Sequence, residues 1–284
     1  MGRPIQTVFV LLFSMAGCSG SKPPVAAEPV IIPATQQFTP DSAHSPPFAR
    51  MPYEAFARAD AVAIAEQEWR LFGERVDDNP PPPGGYSPLP SDDPSRAPGL
   101  WERIGEYWWL GQDDDSPQSA WTGMHNENGS EFDESQADYY AWSAAFISYI
   151  IRTAGAGARF PYAASHYVYI DIGKEMRLGT TSGWVVVAQP VDSYAPMPGD
   201  LICYSRELHK LTYDMLPAPP FAAHCDMVVA QGNQQISVIG GNVDHAVTMK
   251  HVPVTTDGRL ADPSGQVLDT RYPWLVVLQI LYDR

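Results

Sequence analysis

Trp142-Ser143-Ala144-Ala145-Phe146-Ile147-Ser148-Tyr149 is the stretch whose reading decides the fold. Its apolar residues recur at spacings of three and four. Trp142, Ala145, Phe146, Tyr149 and Ile150 form one stripe of a helix running from about Asp138 or Tyr140 to Thr153. Asp138 is placed to cap it, and Gly155 and Gly157 end it. Upstream, Phe56, Ala59, Ala63, Ile64 and Trp69 give Tyr53–Phe72 the same period, with Gly73 as its stop. Asp77 to Leu100 reads as loop, because Pro80-Pro81-Pro82-Pro83-Gly84-Gly85 continues neither a helix nor a central strand. Trp101 to Trp109 is a second helix closed by Gly111, and Asp113, Asp114 and Asp115 follow in a polar turn. Trp121 to Ser135, with His125, Glu131, Asp133 and Glu134, is an acidic stretch: a surface loop, or one wall of a cleft.

Downstream the period changes from helical to alternating. A short helix from Ala163 towards Gly173 carries His166, Tyr167 and Ile170. Then come strands at Trp184–Ala188, Leu201–Tyr204 after the Pro198-Gly199-Asp200 turn, and Asp226–Ala230, which may extend back to His224. Gln235–Ile239 follows a Gly232-Asn233 hairpin turn, and Ala246–His251 and Trp274–Leu281 complete the set. Helices first and an antiparallel meander second is an α+β order, with N-terminal helices packed on an antiparallel sheet. Residues 205–223 form a long insertion between two strands, placed to fold over a cleft.

The N-terminus sets the expected compartment. Arg3, the apolar run Val8–Met15 and Ala16-Gly17-Cys18 read as a signal peptide over residues 1–17, too short for a final membrane span. Met15-Ala16-Gly17-Cys18 resembles a bacterial lipobox, which makes Cys18 the acylated residue and the membrane a partner through it. By the same resemblance, Ser19-Gly20 without an aspartate after Cys18 implies, in a Gram-negative host, the periplasmic face of the outer membrane. Residues 18–50 are rich in Pro, Ala and Ser and read as anchor and tether, reaching roughly 100 Å when extended. Residues 51–284 remain as one domain. The formal net charge of −15 argues against nucleic acid as a partner.

The ordered motifs resemble the papain-like hydrolases of the NlpC and CHAP type. Trp142-Ser143-Ala144-Ala145-Phe146 is similar to the family's Trp-Cys-Ala-Ala-Phe, with serine in the cysteine position. Pro198-Gly199-Asp200 and Gly241-Asn242 are similar to the turns flanking its core strands. The chain looks most like a serine-bearing bacterial lipoprotein branch of that superfamily. The resemblance implies Ser143 as nucleophile, His224 as base and Asn242 as the residue orienting it. Asp226, two residues from His224 on one strand face, is an alternative orienter, and Asp244 and His245 are further candidates. His166 is a candidate lining the cleft from the opposite side. The implied activity is an amidase or peptidase acting on peptidoglycan peptides, with no cofactor. The alternative is a catalytically inactive domain that binds wall fragments or partner proteins, since a hydroxyl needs more activation than a thiol. A zinc site drawn from His224, Asp226, Asp244 and His245 matches no strong metal spacing. Cys203 and Cys225 fall on neighbouring strands. They are either a disulfide, which an oxidising envelope permits, or two buried thiols. If His224 faces the helix that carries Ser143, Cys225 points to the other face of the sheet.

Overall fold

Apolar stripes on four helices and alternation on six strands assemble into an α+β unit in a computed structural model, which describes residues 55–79, 93–112, 116–209 and 211–283. The signal peptide, Cys18, the tether, the proline run at 80–83 and Asp113–Asp115 lie outside the described residues. The helices are α1 (Arg58–Leu71), α2 (Leu100–Leu110), α3 (Ser143–Thr153) and α4 (His166–Leu178). The strands are β1 (Val186–Gln189), β2 (Leu201–Ser205), β3 (Ala223–Gly232), β4 (Gln235–Val243), β5 (Ala246–Pro253) and β6 (Trp274–Ile280). All pairings between these strands are antiparallel, in the order β1-β6-β2-β3-β4-β5. The last strand therefore lies between β1 and β2, where the sequence suggested a simple meander.

Helix α3 is apolar on every side, and each residue from Ser143 to Arg152 is buried. It lies between α2 and the strands β3 and β4. Burying side chains such as Phe146, Ile147, Ile150 and Ile151 contributes about 2 kcal/mol each. The helix starts later than its period suggests. Asp133, not Asp138, caps a short 3-10 turn at Glu134–Gln136, and α3 begins at Ser143 with Trp142 as an N-cap that offers no side-chain hydrogen bond. The Trp121–Ser135 stretch is not wholly a surface loop. Trp121 and Phe132 are buried in the helix-side core, while Glu131 and Asp133 are exposed.

The sheet separates two apolar clusters. Leu201, Cys203, Cys225, Met227, Val276 and Leu278 join Phe146, Ile150 and the other helix residues in the larger. Ile202, Val228, Val238, Val252, Trp274 and Val277 form the smaller on the alternate positions. Cys203 and Cys225 stand directly opposite in the β2–β3 register, with Cα atoms 4.1 Å apart, and are disulfide-bonded. The bridge thus lies on the helix-facing side. His224 pairs opposite Tyr204 and alternates with Cys225, so its face is that of the smaller cluster, the reverse of the assignment anticipated from the sequence. The insertion between β2 and β3 is anchored on α4. Lys174 Nζ donates to the Tyr213 carbonyl at 3.0 Å, the Ala218 amide donates to Asp171 at 3.1 Å, and Phe221 packs near Tyr167.

Candidate active site

Ser143 is the first residue of α3, and His166 is the first residue of α4. The buried α3 and the half-buried α4 both pack on the sheet with these starts together, and Ser143 Oγ lies 2.7 Å from His166 Nε2. On the other side of the ring, Nδ1 is hydrogen-bonded to the Tyr169 hydroxyl. Spacing of three along α4 puts Tyr169 on the face of His166. The His224 ring is next, 5.3 Å from that of His166 between centroids. His224 Nε2 lies 3.0 Å from Asp226 Oδ1, as side chains two apart on one strand face allow. Asp226 Oδ2 lies 2.8 Å from Lys250 Nζ. The two groups form an ion pair sealed from solvent. Lys250 also lies over the rings of Tyr272 and Tyr204, at 4.8 and 5.6 Å.

The row Ser143–His166–His224–Asp226–Lys250 is almost dry: Ser143 is 9 % exposed, His224 5 %, His166 4 %, and Asp226 and Lys250 0 %. Burial, with His224 alongside, pushes the His166 pKa well below the ordinary imidazole value, against the pull of Asp226. Burial also lowers that of His224, although the Asp226 carboxylate opposes it. For Asp226, burial alone would raise the pKa. The Lys250 ammonium and His224 outweigh it and hold the carboxyl below its usual range. Two neutral imidazoles beside one ionised carboxylate are the resulting charge state near neutrality.

Glycine is required beside this row. A Cβ on Gly240 would overlap Asp226 Oδ1 and approach His224 Nε2 to 2.9 Å, and one on Gly241 would come within 2.6 Å of Phe146 Cβ. The Gly240-Gly241-Asn242 stretch is thus the surface against which the His224–Asp226 pair and α3 close. Asn242 itself, at φ +56°, is half-buried, and no hydrogen bond joins it to His224.

The sequence placed Ser143, His224 and Asp226 in one neighbourhood, and the structure brings all three there. It differs in who touches whom. The histidine in contact with Ser143 is His166 and not His224, because α4 begins against the start of α3. Asp226, not Asn242, holds His224, because β3 alternation sets the carboxylate on its face. Asp244 and His245 take left-handed conformations, at φ +49° and +59°, in the β4–β5 turn, and His245 faces Asp93 at 3.8 Å. Among the described residues no group of three or more His, Cys, Asp or Glu side chains is gathered as a metal-ligand set. Tyr169 and Lys250 went unnoticed. The signal for Lys250 was its alternation with Thr248 and Val252, which puts a lysine on an inward strand face. The signal for Tyr169 was its spacing of three from His166 on one helix.

A family model described as an uncharacterized protein conserved in bacteria (DUF2272) matches residues 95–280, from just before α2 to the end of β6. The match spans more than half of the chain, and the chain belongs to this family. No curated protein and no solved structure matches it.

Proposed function

We propose that the chain is an envelope-anchored hydrolase of papain-like fold, akin to the NlpC and CHAP enzymes, in which Ser143 attacks the carbonyl carbon of an amide bond in peptidoglycan peptides. The observation that carries this reading is the Ser143 hydroxyl at the first residue of a buried helix, 2.7 Å from one imidazole, whose ring lies 5.3 Å from a second that an ionised aspartate holds. A serine nucleophile must lose its proton as it attacks, so a neutral imidazole has to be at hand. Lowered histidine pKa values keep both imidazoles uncharged, the state in which a ring has one bare nitrogen to accept a proton. The free amide groups at the start of α3 would favour charge developing on the carbonyl oxygen. The helices-then-sheet order supports the papain-like reading. The lipobox-like Met15-Ala16-Gly17-Cys18 and the tether support an envelope location, lipidation at Cys18 and access to the wall polymer.

A second reading, a catalytically silent domain that binds wall fragments or partner proteins, is favoured by the burial of Ser143 and both histidines, since a substrate must reach them. Digestion of purified peptidoglycan by the wild type and by Ser143→Ala, followed by mass spectrometry, separates the two. The hydrolase reading expects new termini from the wild type and none from Ser143→Ala. Undiminished cleavage by Ser143→Ala rules out the nucleophile. Tight binding of a fragment with no cleavage of any acyl substrate selects the second reading.

A further inference from the structure

The line Tyr169 Oη, His166 Nδ1, His166 Nε2, Ser143 Oγ holds its protons in one of two ways. A neutral imidazole carries a single N–H. If Ser143 donates to Nε2, the ring proton sits on Nδ1 and is donated to Tyr169, and the phenol's own hydrogen needs another acceptor. Tyr169 is 0 % exposed, and His166 is its one hydrogen-bond partner among the described residues. That arrangement strands an O–H in the core, which folded proteins rarely tolerate. If Tyr169 donates to Nδ1, the ring proton sits on Nε2 and is donated to Ser143 Oγ. The hydrogen left over is then that of Ser143, which keeps 9 % of its surface exposed and so can turn towards water or a ligand. Burial holds His166 uncharged, so the count of one ring proton applies.

We infer that Tyr169 is a positioning residue that fixes His166 as its Nε2–H tautomer, so that His166 donates to Ser143 Oγ instead of receiving its proton. The assignment describes the resting site; its catalytic meaning rests on the hydrolase reading. There, the His166 N–H would steady negative charge developing on Oγ, a service a thiolate does not need and a hydroxyl does. The serine proton would then leave on the open side, to water. The ionised Asp226 orients His224 with its proton on Nε2, which leaves Nδ1 of that ring bare to take a proton relayed by water.

Long-range proton–nitrogen correlation spectra of the full chain, labelled with 15N, report which nitrogen of each imidazole bears the proton. Loss of one set of signals in His166→Gln assigns His166. The wild type is expected to show a protonated Nε2 and a bare, hydrogen-bonded Nδ1, and in Tyr169→Phe the Nδ1 resonance is expected to move to the position of an unbonded nitrogen. A protonated Nδ1 with a bare Nε2 in the wild type overturns the inference, and so does an Nδ1 resonance that Tyr169→Phe leaves in place. The wild-type spectrum decides even if Tyr169→Phe does not fold. No substrate enters the measurement, so an inactive wild type defeats the hydrolase reading alone, and the opposite tautomer defeats this inference alone.

Discussion

Replacing Lys250 by methionine removes the cation that keeps Asp226 ionised. Both groups are fully buried and 2.8 Å apart. At an effective dielectric of about 20, two unit charges at that distance attract by about 6 kcal/mol, most of it offset in the wild type by the cost of desolvating both. Methionine fills similar volume, so little of the loss comes from packing. The carboxylate left behind keeps only His224, and removing one partner of a buried pair costs about 3–5 kcal/mol. The sign with pH is specific. In the wild type the Asp226 pKa lies below its ordinary 3.8, so its stabilisation is complete above that value and is lost as pH falls towards the lower folded pKa. In Lys250→Met the burial that Lys250 had outweighed raises the pKa above 3.8. The variant then loses stability as pH rises from that value towards its raised folded pKa. Urea unfolding of both proteins between about pH 3 and pH 7 reads the difference. The gap should be about 3 kcal/mol or more near neutrality and narrow steadily towards pH 3. A gap below about 1 kcal/mol at neutrality, or one that does not vary with pH, would refute the account of Asp226 as an anion held by Lys250.

Three further outcomes are expected. The Cys203–Cys225 bridge spans a sequence separation of 22, so denatured, unreduced protein should present no free thiol from either residue, and Cys225→Ser should cost about 3 kcal/mol in urea unfolding. Gly240→Ala should cost at least about 1–3 kcal/mol and break the His224–Asp226 contact, because a Cβ there overlaps the carboxylate; a crystal structure of the variant with that contact intact would contradict this. Glu68 is 1 % exposed and accepts hydrogen bonds from Arg103, Tyr107 and Tyr149, tying α1 to α2 and α3, so Glu68→Ala should cost about 3 kcal/mol, measured by thermal or urea unfolding.

Local pattern marked which segments are helix and which are strand, though not where α3 begins. The period of Trp142, Ala145, Phe146 and Tyr149 marks α3 with no knowledge of its neighbours, and alternation in Asp226–Ala230 and Ala246–His251 marks β3 and β5, because side-chain direction repeats with the backbone. The α+β order and the nearness of His224 to Asp226 follow from the same rules. Three things required the assembled chain. Placement of β6 between β1 and β2 depends on two pairings, as between Tyr204 and Trp274 and between Val186 and Ile280, that lie far apart in sequence and that no local period records. The choice of His166 over His224 as the partner of Ser143 depends on where α4 starts relative to α3, a matter of packing. The roles of Tyr169 and Lys250 depend on burial: a phenol and an ammonium are ordinary on a surface, and they become proton-placing and charge-holding groups only where water is excluded and each polar atom must find its partner within the protein.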